Sequence, residues 1–233
     1  MADTQKGIAL IVGAGSGLSA SLARALHDEG YQIALAARTV GKLEELCEEL
    51  NANGYQCDAS AHGDVAVLFK DIDDLPAELD VVVYNPSYRT RGPLIELDPA
   101  EVEKTLAISA FGGFLVGQEA ARRMLKRGAG AILFTGASAG VKGYPQSAPF
   151  AMGKFALRGL AQSMARELAP QGIHVAHFVI DGGIRSDRRP GDPNNPDALL
   201  DPDAIAQSYV AILNQPRSAW SWEIEVRPWV EKF

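Results

Sequence analysis

Apolar runs of strand length alternate with longer stretches of helical period along almost the whole chain. This alternation limits the possible folds more than any other feature. Residues 7–12 (GIALIV), 31–36 (YQIALA), 55–61, 81–84 (VVVY), 131–135, 173–180 and 222–226 read as strands. Helices are expected over residues 18–29, 40–53, 65–75, 99–127, 146–169 and 203–214. Pro76 and Pro170 close two of them, and Pro99 suits the start of another. Strands that are apolar throughout, joined by helices, form a parallel sheet covered on both faces. Right-handed crossovers then put every strand's carboxyl end on one edge, where such a sheet binds its ligand.

The expectation is a single α/β domain over residues 1–233, a Rossmann-type doubly wound seven-stranded parallel sheet. A loop rich in Pro, Asp and Asn, about 184–203, would lie at the ligand edge. A formal net charge of −7 argues against nucleic acid or an anionic membrane surface as partner. No apolar run approaches the ~20 residues that span a bilayer, and the start MADTQKG lacks a signal-peptide layout. Cys47 and Cys57 have neither metal-ligand nor redox-motif spacing and read as reduced packing thiols of a cytoplasmic protein. The expected partner is a small molecule.

Directly after the first strand comes Val12-Gly13-Ala14-Gly15-Ser16-Gly17-Leu18-Ser19. Glycines allow a tight turn and let the backbone approach a pyrophosphate. The free amides at the start of the next helix would then face its negative charge. At the end of the second strand, Ala36-Ala37-Arg38 lacks the acid that would hydrogen-bond a ribose 2′-hydroxyl. Arg38 offers a planar guanidinium to a 2′-phosphate, which favours NADP(H) over NAD(H). Its other reading is a solvated surface arginine.

The glycine turn resembles the fingerprint of the short-chain dehydrogenase/reductase family, T-G-x-x-x-G-x-G, and the likeness extends over essentially the whole chain. Gly13 and Gly17 match, Val12 replaces the Thr, and Ser19 puts a side chain where the last Gly should be. The resemblance implies that Gly63-Asp64-Val65 is the family's Asp-Val pair, with Asp64 toward the adenine; alternatively Asp64 caps a helix. Tyr84-Asn85-Pro86-Ser87 stands where the family has N-N-A-G, keeping Asn85 and placing Pro86 in the turn beside the ribose. Residues 180–186 stand at N-P-G-x-x-x-T, beside the nicotinamide amide. Gly182, Ile184 and Ser186 then belong to the cofactor site, and Asp181 is either a turn residue or a functional acid.

The family's chemistry uses Tyr, Lys, Ser and Asn. Lys154 is in place, but Phe150 occupies the tyrosine position and has no hydroxyl to carry a proton. The serine falls at Ala137 by usual spacing, with Ser138 one place on, and the asparagine position is Ser109. The carboxyl end, 215–229, is similar to an atypical branch of the family that has Phe for the Tyr and keeps the Lys. The implied activity is an NADP(H)-dependent oxidoreductase acting on a small carbonyl, enone, imine or alcohol with a degenerate catalytic tetrad. Its proton would come from water, Ser138, Tyr144, Tyr88 or the substrate. The competing readings are a catalytically silent NADP(H) sensor and a non-redox lyase or isomerase. His174 and His177 fall on opposite faces of a strand, so no metal site is expected. Arg185, Arg188 and Arg189 either close over an anionic substrate or belong to a solvated lid. Family members pair as homodimers or homotetramers through the long helices. Ala156, Leu157, Leu160, Ala161 and Met164 would be that surface or simply a core face.

Overall fold

The computed structural model describes residues 6–231. Seven strands, β1 (Ile8–Val12), β2 (Gln32–Ala37), β3 (Asn53–Gln56), β4 (Leu79–Tyr84), β5 (Gly130–Thr135), β6 (Ile173–Ile180) and β7 (Glu223–Val226), form one sheet in the order β3-β2-β1-β4-β5-β6-β7. All neighbouring pairs are parallel. The chain lays β1, β2 and β3 outward in one direction, then returns to set β4 on the other flank of β1. The strand order therefore reverses between β1 and β4, where an open α/β sheet leaves a crevice at its carboxyl edge.

Alternate residues of each strand feed two core layers. Leu10, Val82, Tyr84, Ile132 and Phe134 pack against α3 (His62–Asp73), α5 (Gly112–Arg127) and α6 (Ala148–Leu168). Ile11, Val83, Leu133 and Phe178 face α1 (Leu18–Asp28), α2 (Glu44–Leu50) and α7 (Pro202–Leu213). The fully buried Tyr209 of α7 stacks on Phe178 with ring centroids 3.5 Å apart. Its hydroxyl shares a 2.9 Å hydrogen bond with Thr135, the last residue of β5, so the sheet edge is braced from below. Among the described residues, no helix is long and apolar enough to cross a membrane.

The structure departs from the sequence-based expectation at three places. The helix expected over 40–53 is a 3-10 turn at Val40–Leu43 followed by a short α2, closed by Asn51 in the left-handed region (φ 48°). The chain consequently enters β3 at Asn53 and leaves it at Gln56, instead of running over 55–61. The strand stops because Asp58 accepts from the Ser60 amide (3.0 Å) and hydroxyl (2.6 Å), a turn that competes with the ladder.

The third departure interrupts the long helix expected over 99–127. α4 (Pro99–Leu106) starts where Asp98 accepts from the Ala100 amide at 2.9 Å. A π turn at Ala107–Phe111 then separates it from α5. The Tyr84 hydroxyl donates to the Ile108 carbonyl at 2.5 Å. Gly112 allows the backbone to come this close, since a Cβ there would lie 2.6 Å from the Ala59 carbonyl oxygen. Gly112→Ala is expected to lower stability in urea unfolding by ~1–3 kcal/mol through overpacking. The loss should be smaller in a Tyr84→Phe background, where part of the obstruction is gone; equal losses in both backgrounds would separate the two sites.

Candidate active site

The carboxyl ends of β1 and β4 are knotted together by hydrogen bonds. The Asn85 amide donates to the Val12 carbonyl (2.9 Å), and the amides of Gly13 and Ala14 donate to the Ala36 carbonyl (2.9 and 3.0 Å). Gly13 has φ +83°, and a Cβ there would lie 2.6 Å from the Pro86 nitrogen, so this position requires glycine. Ser19 does not crowd the turn. Its buried hydroxyl donates to the Gly13 carbonyl (2.9 Å) and accepts from the Asn85 side chain (2.7 Å), fastening α1, the glycine turn and the end of β4 together.

Above this knot the α1 amides are open. Gly17 is the N-cap, no side chain caps the helix, and its first turn has no acid. A Cβ at Gly15 or Gly17 would meet nothing within 4 Å. That open space, next to uncompensated amides at the positive end of a helix, fits a phosphate group.

A cavity of about 460 Å³ runs from here over β2 and β3, and Gly13, Gly15, Ser16, Arg38, Asn85 and Pro86 line it. Lys42, Asp58 and Ala59 also line it, and sequence reading had missed all three. Asp64 and Val65 are displaced from the site. Val65 is fully buried in the core, and the Asp64 carboxylate accepts from the Asp58 amide at 2.9 Å, one turn into α3. Because β3 ends early, it is Asp58 that reaches the sheet edge. Ser60's hydroxyl, with attraction from Arg38 added, holds its carboxyl below the usual carboxylate range.

A second cavity of about 940 Å³ opens over β4, β5 and β6 and adjoins the first at Asn85 and Ser87, which line both. Leu18, Ser138, Phe150, Lys154, Gly182, Ile184 and Ser186 line it, as does Ala137. Ser109 does not. It is fully buried at the π turn against α6, where its hydroxyl makes a long 3.4 Å contact with the Tyr88 carbonyl. Tyr88 is also turned away, donating to Glu101 at 2.5 Å. Tyr144 does line the cavity, and its hydroxyl donates to Ser138 Oγ at 3.1 Å. Asp181 is buried between Lys142 (3.5 Å) and Arg227 (3.6 Å), so its charge is already engaged.

Lys154 is only 2% exposed, and its ammonium donates to the Thr135 carbonyl at 2.8 Å. Burial pushes its pKa down from 10.5 to about 8. His174 stacks on Trp220 and bonds the Ser221 carbonyl (2.9 Å), while His177 on the opposite face bonds Glu223 (3.0 Å). Leu157 and Ala161 of α6 are core residues, so the small-residue run belongs mainly to the core face.

The short chain dehydrogenase family model matches residues 7–191. A short-chain dehydrogenase from Rhodopseudomonas palustris superposes with a TM-score of 0.83 at 34% sequence identity, covering 95% of this chain and 98% of that one. An alcohol dehydrogenase from the archaeon Thermococcus sibiricus, solved with 5-hydroxy-NADP, superposes with a TM-score of 0.86 at 25% identity, covering 97% and 98%. An uncharacterized oxidoreductase of Staphylococcus aureus is 26% identical over 227 residues, covering 95% of this chain and 96% of that protein.

The buried lysine makes stability depend on pH in a definite direction. The native lysine releases its proton near pH 8, whereas the unfolded one keeps it until about 10.5, so native stability gains as pH rises through that window. The stability difference between wild type and Lys154→Met should therefore be flat below pH 8. It should then move toward wild type by up to ~3 kcal/mol between pH 8 and 10.5. Urea unfolding of the nucleotide-free proteins at stepped pH measures this, and a flat difference across the window would refute it.

Proposed function

Because this chain belongs to the short-chain dehydrogenase family, we propose that it is an NADP(H)-dependent oxidoreductase acting on a small carbonyl, enone, imine or alcohol. The observation that carries the reading is that the cavity over the open amide cradle, lined by Gly15, adjoins at Asn85 and Ser87 the cavity lined by buried Lys154. Arg38 and Lys42 in the first of these cavities supply two cations for a 2′-phosphate. The Staphylococcus aureus relative is named an oxidoreductase, and the Thermococcus sibiricus enzyme carries an NADP derivative, which supports the same reaction class.

When bound, the nicotinamide supplies or accepts hydride. The chain's own residues must bind, orient and move the proton. Lys154 holds the ribose end of the cofactor through the N–H groups not used by Thr135. Phe150 contributes a ring face and no proton. Ser138 takes over the proton step. Its oxygen accepts from Tyr144, which leaves its own O–H free for an oxygen in the cavity. As Ser138 gives its proton to the substrate oxygen, Tyr144 replaces it and is itself replenished from water, being 40% exposed. A pair of copies would meet through Phe111 and Phe114 of the π turn and α5, which stack at 6.1 Å and are both exposed, with Met152 and Phe155 of α6. A second reading, cofactor binding without turnover, is favoured by Phe150 itself.

Titration of nicotinamide fluorescence should show NADPH binding about 10-fold or more tighter than NADH, the range of a charge-assisted contact, and Arg38→Ala should remove most of that preference. Equal affinities, or no binding, would overturn the cofactor assignment. In a screen of carbonyls, enones and imines, the native protein should oxidise NADPH, and Tyr144→Phe should slow it roughly 10-fold or more. Phe150→Tyr should raise turnover of unactivated carbonyls by ~10²-fold. Turnover seen only in Phe150→Tyr would establish the silent reading instead.

A further inference from the structure

Four arginines line the 940 Å³ cavity. Arg89 and Arg91 come from the segment after β4, and Arg188 and Arg189 from the loop after β6. In a chain of net charge −7, several arginines elsewhere find carboxylates: Arg24 pairs with Glu49, Arg123 with Asp73, Arg127 with Asp80, Arg158 with Glu223. Arg185, from the same loop, is held by Asp201 at 2.5 Å and does not line the cavity. Among the described residues, none of the four cavity arginines has a carboxylate within ion-pair distance. Of the two acids that line the cavity, Asp181 is engaged by Lys142 and Arg227, and Glu231 is exposed.

These cations are also positioned. The Arg89 guanidinium lies 4.6 Å from the centroid of the Phe150 ring, with Nη2 3.5 Å from Ser147 Oγ. Phe150, idle in proton transfer, is thus the platform on which a cation stands. Ser186 and Arg189 exchange backbone hydrogen bonds in both directions (3.1 and 2.9 Å), closing the tight turn that carries Arg188 and Arg189. Arg189 lies so close over Gly183 that a Cβ there would be 2.5 Å from its Nη1. Burial, with Arg91 and Arg189 nearby, depresses the Arg89 pKa, as expected where like charges gather without a counter-ion.

We propose that this cavity takes a substrate bearing an anionic group, a carboxylate or a phosphate ester, clamped by Arg89, Arg91, Arg188 and Arg189 while its reacting carbon lies beside Ser138. Planar guanidiniums suit either anion, because both present paired oxygens. The anionic class stands on the arginines alone; the reacting carbon rests on the oxidoreductase reading.

Isothermal titration of the NADP⁺-saturated protein with malonate, inorganic phosphate and pyrophosphate tests the clamp without turnover, and NADPH titration reports the cofactor reading separately. At least one of the anions should bind the native protein, and which one distinguishes carboxylate from phosphate. Arg89→Met and Arg189→Met should each weaken it by about 10-fold or more while NADPH affinity changes less than about twofold. Arg91→Gln, at an exposed side chain, should weaken it in the same direction. Failure of all three anions to bind, undiminished binding in the variants, or an equal loss of NADPH affinity would each overturn the proposal. The last result would assign the arginines to the cofactor's phosphates.

Discussion

The pairing of β1 with β4 joins two strands that the chain separates by two complete strand–helix passages, and the cleft exists because of that junction. Parallel strands leave their carboxyl ends on the same edge, and the reversal of strand order pulls the flanking loops apart there. What keeps the opening from collapsing or drifting is a small set of hydrogen bonds between backbone and two polar side chains. Asn85 bonds Val12 through its amide and Ser19 through its side chain, while Ser19 reaches back to Gly13. Each bond contributes only ~1 kcal/mol net. Their value is geometric: they hold the helix amides, the glycine turn and the floor of the larger cavity in one register.

Against that frame the chain carries an uncomfortable charge. An ammonium nearly removed from water is costly unless other groups solvate it. Here the Thr135 carbonyl is its hydrogen-bond partner. Thr135 is in turn tied through its hydroxyl to Tyr209, which is stacked on Phe178, so the carbonyl that steadies Lys154 is anchored to the core layer beneath α7. The Phe150 ring, whose centroid is 5.9 Å from this ammonium, offers it no hydroxyl. The hydroxyls of Ser138 and Tyr144 line the same cavity as this ammonium.

How much of this the sequence discloses depends on the range over which the deciding interaction acts. The strands, the glycine turn and Arg38 are local patterns, readable from period and spacing, whereas Lys154 and Phe150 stand out only through the family resemblance. The family resemblance puts Asp64 at the adenine end; the turn made by Asp58 on Ser60 ends β3 at Gln56, and it is Asp58 that lines the cavity. A polar residue able to bond its own neighbours was the available signal. The family resemblance puts Ser109 at the asparagine position, whereas the π turn buries it outside the cavity lining. Nothing in a hydrophobic pattern announces a π turn, and its cause is a tyrosine on another strand. The gathering of Arg89 and Arg91 with Arg188 and Arg189 is likewise invisible along the chain, since the two pairs meet only when the sheet closes.

The π turn at Ala107–Phe111 has one more effect, on phase. A helix advances about 100° for each residue, so one additional residue in a turn rotates everything beyond it by that amount relative to what came before. α4, whose only fully buried residue is Thr105, packs on α6 and bonds Tyr88 through Glu101 and Lys104, whereas α5 must turn Leu115, Val116, Ala120 and Met124 onto the sheet. An unbroken helix could satisfy only one of these orientations. The widened turn works as a coupling between two shafts set at different angles, letting the ligand side of the molecule be rebuilt without re-timing the core.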